Sequence, residues 1–252
     1  MKAAILTDTT KCIGCNQCVI ACKQVNHLAP DSPRWWDLDD GLSARNWTSI
    51  VDGPKRTFVR KQCRHCLEPA CVSACPVGAL SKTALGPVVY DSAKCMGCRY
   101  CMMACPYGVP RYTWDQPVPY VRKCILCYDR VLKGGQPACT EACPTKATVF
   151  GDRDALLAEA HRRIDRDPAL YANRVWGEHE VGGASVLYIS NVDLSFLAPR
   201  IPTAGTPLPD LTALAMDAVP FAFTGVVAVM AGLGWIIGRR MKRQSEGPDE
   251  QG

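Results

Sequence analysis

Sixteen cysteines, all between Cys12 and Cys143, constrain the fold of this 252-residue chain more than any other feature. They form four groups of four, and every group ends in a C-x3-C pair. The last three groups continue into a proline, at Pro76, Pro106 and Pro144. Such repetition of one motif indicates an internal repeat. The four groups are Cys12, Cys15, Cys18 and Cys22; Cys63, Cys66, Cys71 and Cys75; Cys95, Cys98, Cys101 and Cys105; and Cys124, Cys127, Cys139 and Cys143.

The spacing within the groups is that of iron–sulfur proteins. The first and third groups read C-x2-C-x2-C-x3-C, the run found in bacterial ferredoxins. Three thiolates of such a loop surround one four-iron cubane, and the fourth binds the other cluster of a pair. Gly14 and Gly97 lie inside these loops, where a positive φ lets backbone N–H groups approach the sulfurs. The second and fourth groups have a longer interval between their second and third cysteines but keep the three-plus-one arrangement. The sequence therefore predicts four 4Fe-4S clusters held by all sixteen cysteines.

Closely spaced cysteines can also form disulfides or bind structural zinc. Disulfides do not require four closely spaced thiols four times over. Structural zinc is the more serious alternative, because paired C-x2-C units also form zinc sites, and the chain would then be a zinc-binding module. Zinc sites seldom use a third cysteine at x2 and a fourth at x3 before a proline. No base, nucleophile or phosphate loop accompanies the motifs, so the sequence predicts a protein that is not itself an enzyme.

Other residues near the motifs have less specific interpretations. His65 lies inside the CRHC segment, and we expect it to pack beside a cluster rather than bind it, since each motif has its own cysteines. Trp35, Trp36 and Trp47 are expected in the core or at an interface. Basic residues beside the motifs are a mixture of solvated charge and counter-charge to anionic clusters: Arg60, Lys61, Arg64, Arg99 and Lys123. The net charge of +5 is mild and spread out, so nucleic acid is not an expected partner.

The rest of the sequence suggests an extension, a linker and a membrane anchor. Asp152 is the expected N-cap of a helix with one apolar stripe at Leu156, Leu157, Ala160 and Ile164. The segment GGASVLYIS predicts a short strand. The expected divisions are a four-cluster body at 1–150 with an insert at about 23–62, a helix–strand extension packed on it at 151–197, a proline-rich linker at 198–217 that is extended at 198–210, a transmembrane helix at 218–238 and a cytoplasmic tail at 239–252.

The C-terminal apolar run predicts both a membrane span and its direction. Ala218–Gly238 contains 21 uncharged residues, and at about 1.5 Å per residue it spans roughly 30 Å, the thickness of a bilayer core. The alternative is a buried core helix. Residues 239–243 include four basic side chains and residues 201–217 none, which favours a cytoplasmic C-terminus and a periplasmic body. A cytoplasmic body with a merely anchored tail is the competing arrangement. Pro220 is expected in the first turn of the helix.

These motifs resemble those of the four-cluster iron–sulfur subunits of molybdopterin oxidoreductases, above all the beta subunit of membrane-bound respiratory formate dehydrogenase. The stretches that carry the resemblance are CIGCNQCVIACK, GLSARNWTSI, CRHCLEPACVSACPVGAL, CMGCRYCMMACPYGVPRY, KCILCYDR and PACTEACPTKATVFG. The resemblance covers about residues 10–190 and the C-terminal anchor. The iron–sulfur subunit of membrane-bound nickel–iron hydrogenase shares CRYCM, the GG loop and the anchor, and it is the alternative.

The resemblance implies a ligand set for each cluster and a set of partners. Its expected sets are Cys12, Cys15, Cys18 and Cys143; Cys124, Cys127, Cys139 and Cys22; Cys63, Cys66, Cys71 and Cys105; and Cys95, Cys98, Cys101 and Cys75. It also implies electron transfer from a catalytic, molybdopterin-containing subunit to a membrane cytochrome b or quinone-reactive subunit. The fold class it implies is α+β, with two interleaved ferredoxin-like di-cluster units and a single C-terminal transmembrane helix.

The resemblance also accounts for export without a signal of the chain's own. No secretory signal is visible in the first 30 residues, and the first arginine is Arg34, so a twin-arginine pair is absent there. In the formate dehydrogenase family the iron–sulfur subunit is exported already folded, on the twin-arginine signal of its catalytic partner. We therefore expect the same partner-dependent export for this chain.

Overall fold

A computed structural model describes residues 2–30, 37–117, 119–200 and 205–245. The chain divides into two units, Met1–Pro209 and Asp210–Gly252. Trp35 and Trp36, part of the predicted linker at 201–204 and the end of the tail from residue 246 lie outside the described ranges. Within those ranges the strands and α-helices are β1 (Ala3–Asp8), α1 (Gln17–Val25), β2 (Thr48–Asp52), β3 (Phe58–Gln62), α2 (Ala70–Ser73), β4 (Leu80–Lys82), β5 (Val88–Tyr90), α3 (Tyr100–Ala104), β6 (Arg111–Tyr112), β7 (Val121–Arg122), α4 (Tyr128–Leu132), α5 (Ala138–Glu141), β8 (Thr148–Asp152), α6 (Arg153–Arg166), β9 (Val186–Ile189) and α7 (Leu208–Ser245).

A three-stranded sheet in the order β8-β1-β9 supports the first unit. Strand β1 pairs antiparallel with β8 and parallel with β9, and all six of its residues are buried. Because successive side chains point to opposite faces, Ile5 contributes to one hydrophobic cluster and Leu6 to another. The face of Ile5 belongs to the same cluster as Cys18 and Cys139. The sheet therefore forms a wall behind the first and fourth cysteine groups.

The opposite face of the sheet is covered by α6. The Asp152 carboxylate accepts a hydrogen bond from the Asp154 N–H at 3.1 Å, so the predicted N-cap is confirmed. Leu156, Ala160 and Ile164 are buried against the sheet, as the apolar stripe predicted, while Leu157 is only partly buried. The predicted strand is β9.

Residues 151–197 contribute to the same sheet as the N-terminal strand and are not a separate layer packed on the body. Strand β8 ends at Asp152, inside the predicted extension, and β9 pairs directly with the N-terminal strand β1. The parallel pair is β1 and β9, so the long crossover connection that such a pair needs is the chain between them, which includes β8 and α6. Sequence patterns identified both elements but not their place in a sheet with residues 3–8.

The cysteine groups are carried by short helices that follow tight loops. The third cysteine of each group lies in a helix: Cys18 in α1, Cys71 in α2, Cys101 in α3 and Cys139 in α5. Helix α1 packs against α5, and α2 packs against α3. The last three helices have four or five residues, and each ends just before a C–P pair, because proline cannot continue a helix.

The predicted insert contributes to the core. Its strands β2 and β3 form an antiparallel hairpin that buries Val59, Arg60 and Gln62. Trp47 is 8% exposed, packs in a cluster with Leu42, and donates its indole N–H to the Ala44 carbonyl at 3.1 Å. The prediction of a core position is confirmed for Trp47.

The C-terminal helix is longer than the apolar run. Helix α7 has 38 residues and begins at Leu208, so residues 208–217 are helical rather than extended. The prediction was wrong there because Pro209 lies in the first turn, where no backbone N–H needs a helical partner. Pro220 lies inside the helix instead of in its first turn. Proline has no N–H, so Pro220 removes one of the many backbone hydrogen bonds of this long helix. The Thr224 hydroxyl donates a hydrogen bond to the Pro220 carbonyl at 2.9 Å.

We predict that Leu187→Ala lowers the stability of the first unit by about 2–5 kcal/mol, because Leu187 is fully buried on the face of the sheet that α6 covers. For a chain of this size the thermal midpoint should fall by roughly 4–20 °C. Circular dichroism at one scan rate under anaerobic conditions measures it. The control is Leu170→Ala, since the Leu170 side chain is 47% exposed. Equal midpoints for the two variants would contradict the assignment of this core.

Candidate metal centres

The first C-x2-C pair of every group contains a residue with left-handed backbone conformation at its third position. These residues are Gly14 (φ 70°), His65 (φ 48°), Gly97 (φ 76°) and Leu126 (φ 57°). Only glycine adopts this conformation without steric cost. The shared conformation shows that the four motifs form the same local loop, including the two variants that lack glycine.

Gly14 and Gly97 also allow close approach of a ring. A Cβ atom added at Gly14 would lie 2.8 Å from the Phe58 ring, and one at Gly97 would lie 2.6 Å from the Tyr112 hydroxyl oxygen. The predicted positive φ is confirmed at both positions. Glycine is therefore required there by packing as well as by conformation.

His65 has a structural role in its loop. Its side chain is buried, and Nδ1 accepts a hydrogen bond from the Val88 N–H at 2.9 Å. Burial, together with the nearby charges of Lys123 and Lys82, holds the pKa of His65 well below its usual value. The imidazole is therefore neutral and carries its proton on Nε2. That Nε2–H is buried and has no hydrogen-bond partner among the described residues, beside the second cysteine group.

Two cavities bring together cysteines from distant parts of the chain. The first is lined by Cys12, Cys15, Cys18 and Cys143. The second is lined by Cys63, Cys66, Cys71 and Cys105. Each cavity thus combines three thiols from one group with the last thiol of another.

The other eight cysteines are grouped by their electrostatic neighbours. Burial raises the pKa of Cys22 to about 12, and the thiolates of Cys139 and Cys127 add to the effect. Burial raises the pKa of Cys124 well above its usual value, and Cys22 and Cys139 are again among its charged neighbours.

A fourth set forms around Cys101. Burial raises the pKa of Cys101 to about 11, and repulsion from Cys75, Cys95 and Cys98 adds to the effect. These electrostatic neighbours place Cys22, Cys124, Cys127 and Cys139 near one another, and Cys75, Cys95, Cys98 and Cys101 near one another.

Electrostatic neighbours link the sets in the order of the Cys12 set, the Cys22 set, the Cys63 set and the Cys75 set. The charge of Cys139, from the second set in this order, acts on Cys18 in the first. Cys63 acts on Cys124, which joins the second set to the third. Cys101 acts on Cys71, which joins the third to the fourth. Neighbouring sets are thus close enough for their charges to interact.

Several thiols accept N–H donors at distances suited to thiolates. The Ala79 N–H donates to Cys75 Sγ at 3.2 Å, and the Leu126 N–H donates to Cys124 Sγ at 3.3 Å. The Asn26 amide donates to Cys22 Sγ at 3.6 Å. Hydrogen bonds to cluster sulfurs help set the reduction potential, so this geometry suits iron–sulfur ligands.

Buried cations surround the thiol sets. Arg60, Arg64 and Lys123 are 1%, 6% and 3% exposed, and none of them pairs with a carboxylate among the described residues. Lys123 Nζ donates to the carbonyls of Val88 and Cys124. The charge of Arg60 interacts with the thiolates of Cys18 and Cys139, and that of Lys123 with the thiolate of Cys71, as expected for counter-charge to an anionic group.

The residues present fit iron–sulfur clusters better than disulfides or single metal ions. All sixteen cysteines are free thiols. In the part of the chain that the structure describes, no group of three or more His, Cys, Asp or Glu side chains is arranged to hold one metal ion. A four-iron cubane is wider than one ion, so its thiolates lie further apart. Burial and mutual repulsion disfavour free thiolates here, and a cationic iron–sulfur core offsets both effects.

Two stretches of the chain match known domain families. Residues 55–153 match the 4Fe-4S dicluster domain, and residues 9–25 match a 4Fe-4S binding domain. A protein of Nitratidesulfovibrio vulgaris is 40% identical over 229 residues, which cover 86% of this chain and 61% of that protein.

Two further relatives are covered over most of their length. Hydrogenase-2 operon protein HybA of Escherichia coli O157:H7 is 37% identical over 228 residues, or 75% of this chain and 70% of that protein. The iron-sulfur subunit of the nitrate-inducible formate dehydrogenase of Escherichia coli K12 is 34% identical over 249 residues, or 92% of this chain and 83% of that protein. With likenesses of this extent, the chain belongs to the family of 4Fe-4S electron-transfer subunits of respiratory oxidoreductases.

Proposed function

We propose that this chain relays electrons through four 4Fe-4S clusters, from the molybdopterin catalytic subunit of a formate dehydrogenase to a membrane cytochrome b or quinone-reactive subunit. The observation that carries the proposal is the pair of cavities in which three thiols of one cysteine group meet the last thiol of another. When bound, 4Fe-4S clusters supply one-electron redox chemistry at potentials that the protein adjusts. The chain itself catalyses no reaction in this proposal.

The proposed ligand sets exchange the last cysteine between groups. The first and second clusters use Cys12, Cys15, Cys18 and Cys143, and Cys22, Cys124, Cys127 and Cys139. The third and fourth use Cys63, Cys66, Cys71 and Cys105, and Cys75, Cys95, Cys98 and Cys101. The two cysteine-lined cavities and the electrostatic neighbours of Cys22 and Cys101 support these sets.

This exchange makes two interleaved ferredoxin-like units. The packing of α1 on α5 and of α2 on α3 supports the pairing of the first group with the fourth and of the second with the third. One unit then contains the first and fourth cysteine groups. The other unit contains the second and third groups, which lie between those two in the sequence. The N-terminal strand β1 and its partner β8 hold those two halves together.

The protein groups around the thiols have two roles in the relay. They bury seven of the sixteen cysteines and partly bury eight more, which limits the access of water to the sites. Backbone and side-chain N–H groups donate to cysteine sulfurs, which stabilises the thiolate form of the ligands.

Formate dehydrogenase is the proposed source of the electrons because that likeness extends furthest along the chain. The match to the formate dehydrogenase subunit covers 92% of this chain, and the match to HybA covers 75%. The HybA match is the closer one in identity, so an iron–sulfur subunit of a membrane-bound nickel–iron hydrogenase is the second candidate.

Helix α7 is proposed to anchor the chain in a bilayer with its C-terminus in the cytoplasm. It contains the one candidate membrane span found within the described residues. The most apolar stretch of 18 residues has a mean hydropathy of 2.0, and none of its residues is buried. The Arg239 guanidinium lies 5.3 Å from the centre of the Trp235 ring, at the end where basic residues follow the apolar run. Aromatic and basic residues in this order suit the cytoplasmic interface of a bacterial membrane.

We expect Cys75→Ser to alter the cluster held by Cys95, Cys98 and Cys101, since its sulfur is assigned to that set. Cys63→Ser, the matched control in the same group, should alter a different cluster. Electron paramagnetic resonance of the two reduced variants in the intact complex distinguishes their signals. A change in the same signal for both variants would show that the proposed exchange is wrong.

Iron and sulfide assays on the unchanged complex provide the reference for these variants. This chain should contribute about sixteen irons and sixteen sulfides, four of each per cubane. A contribution near twelve of each, or substantial zinc, would contradict four 4Fe-4S clusters.

Formate should reduce the clusters of the purified complex, whereas hydrogen should not. Reduction lowers the visible absorbance of the clusters, so an anaerobic stopped-flow trace after mixing with formate measures the effect. A parallel trace with hydrogen-saturated buffer is the control. Reduction by hydrogen alone would favour the hydrogenase alternative and reject the formate partner.

Protease added to spheroplasts should cleave the cluster-bearing unit, while inverted vesicles should protect it. The reason is the position of four basic side chains just after the apolar run, at Arg239, Arg240, Lys242 and Arg243. A tag at the C-terminus, which should be cleaved only in inverted vesicles, is the internal control. Cleavage of the unit only from the cytoplasmic face would overturn the periplasmic location and partner-dependent export.

A further inference from the structure

Arg60 is a fully buried cation beside the first two thiol sets. Its side chain is 1% exposed and lines the cavity of Cys12, Cys15, Cys18 and Cys143. Burial alone would lower the pKa of Arg60, but the thiolates of Cys139 and Cys18 and the nearby Tyr188 and Cys124 raise it overall. Arg60 therefore stays positively charged at a point where two of the thiol sets meet.

The residue is held in place at three points. Its Nη2 donates to the Thr148 hydroxyl at 3.0 Å. Its backbone carbonyl accepts a hydrogen bond from the Tyr188 hydroxyl at 2.8 Å. Its backbone also lies in the β2–β3 ladder opposite Ile50. The guanidinium is thus oriented by contacts outside the cysteine loops.

The remaining donors of the guanidinium have no protein partner. Nε and Nη1 are buried and make no hydrogen bond within the described structure. No carboxylate lies within ion-pairing distance of Arg60 among the described residues either. A buried charged donor left without an acceptor is strongly unfavourable, so an acceptor is expected in the adjoining cavity.

Arg60 has more unpartnered donors than the two other buried cations beside the cysteine groups, since Arg64 leaves only Nη1 without a partner among the described residues. The Lys123 ammonium donates to two backbone carbonyls. The Arg64 guanidinium donates to the Leu197 carbonyl and lies over the rings of Tyr107 and Tyr188, at 5.2 and 4.2 Å from their centres. Arg60 combines a fixed charge, two free donors and a position on the cavity wall.

We propose that Arg60 sets the reduction potentials of the two clusters held by the first and fourth cysteine groups, by donating Nε–H and Nη1–H to their sulfurs. The inference rests on the proposed function in that it requires clusters at these sites. A fixed positive charge stabilises the form of a cluster that holds one more electron, so it raises the potential. Hydrogen bonds to the sulfurs act in the same direction. Arg60 thus raises the reduction potentials of two neighbouring clusters together. Its charge does not vary with physiological pH.

Arg60→Gln tests the proposal in the full complex, because it removes the charge but retains a polar side chain. A redox titration followed by electron paramagnetic resonance should show one or both clusters of this pair shifted to more negative potential. A tenfold change in the ratio of oxidised to reduced cluster corresponds to a shift of about 59 mV for one electron. The clusters of the second and third cysteine groups should keep their potentials.

Lys61→Gln is the matched control for loss of one positive charge on the same strand. Its ammonium pairs with Asp40 at 2.8 Å, and its side chain is 20% exposed, so this variant should leave all four potentials near those of the unchanged complex. Arg60→Lys keeps the charge and should recover most of the shift. Equal shifts for Arg60→Gln and Lys61→Gln would overturn the proposal, as would a fully loaded Arg60→Gln variant with unchanged potentials.

A second variant covers the case in which Arg60→Gln fails to assemble. Thr148→Val leaves the charge of Arg60 in place and keeps the size of the side chain at position 148. It removes the hydroxyl that accepts the hydrogen bond from Arg60 Nη2. It should shift the same two clusters by a smaller amount, and unchanged potentials in this variant would overturn the proposal. Loss of iron from Arg60→Gln and Arg60→Lys alike would identify Arg60 as a residue of the fold alone and also overturn it. Iron and sulfide analysis of the unchanged complex separates these outcomes from a failure of the proposed function itself.

Discussion

The structure depends on how the negative charge of the cysteine thiolates is stabilised in an interior that water solvates poorly. Thiols such as Cys22 and Cys101 are buried, and their thiolate forms repel one another, so burial alone keeps them protonated. A cationic iron–sulfur core removes that penalty, and folding and metal binding are coupled for this reason. N–H donors and buried cations around the thiols offset part of the remaining charge. Aliphatic side chains form much of the core, but much of the organisation serves these thiols.

Local and long-range structure divide the work of forming the sites. Each C-x2-C loop turns through a left-handed residue and enters a short helix, and in three groups a C–P pair then ends that helix. These features place three thiols together within one loop. In the two cysteine-lined cavities the fourth thiol comes from another group, and it lies there only because helices and strands distant in sequence pack together. The sheet β8-β1-β9 is central to this packing, since it joins the N-terminus to the strand that follows the fourth group.

Several features were predictable because their causes lie within a few residues. The N-cap at Asp152, the apolar stripe of α6 and the positive φ of Gly14 and Gly97 depend on neighbouring backbone, and the structure contains them all. The helical start at Leu208 was missed, since two prolines nearby suggested an extended linker, yet proline is compatible with a first turn. Strand β1 was missed because AAILTD is too short for its periodicity to identify a strand. His65 was correctly expected to pack, but its bond to Val88 depends on a strand more than twenty positions away.

The amino-acid sequence by itself determined the number of thiols, their spacing, the loop conformation around them and the length of the apolar C-terminal run. Each of these depends on contacts between residues close in the chain, which spacing and residue type describe completely. Only the tertiary structure decided that Cys143 shares a cavity with Cys12, that β9 pairs with β1, and that Arg60 faces the thiols while Lys61, its neighbour, pairs with Asp40. Those outcomes depend on which distant segments pack together and on which side of a strand meets the interior, and no local pattern in the sequence specifies either.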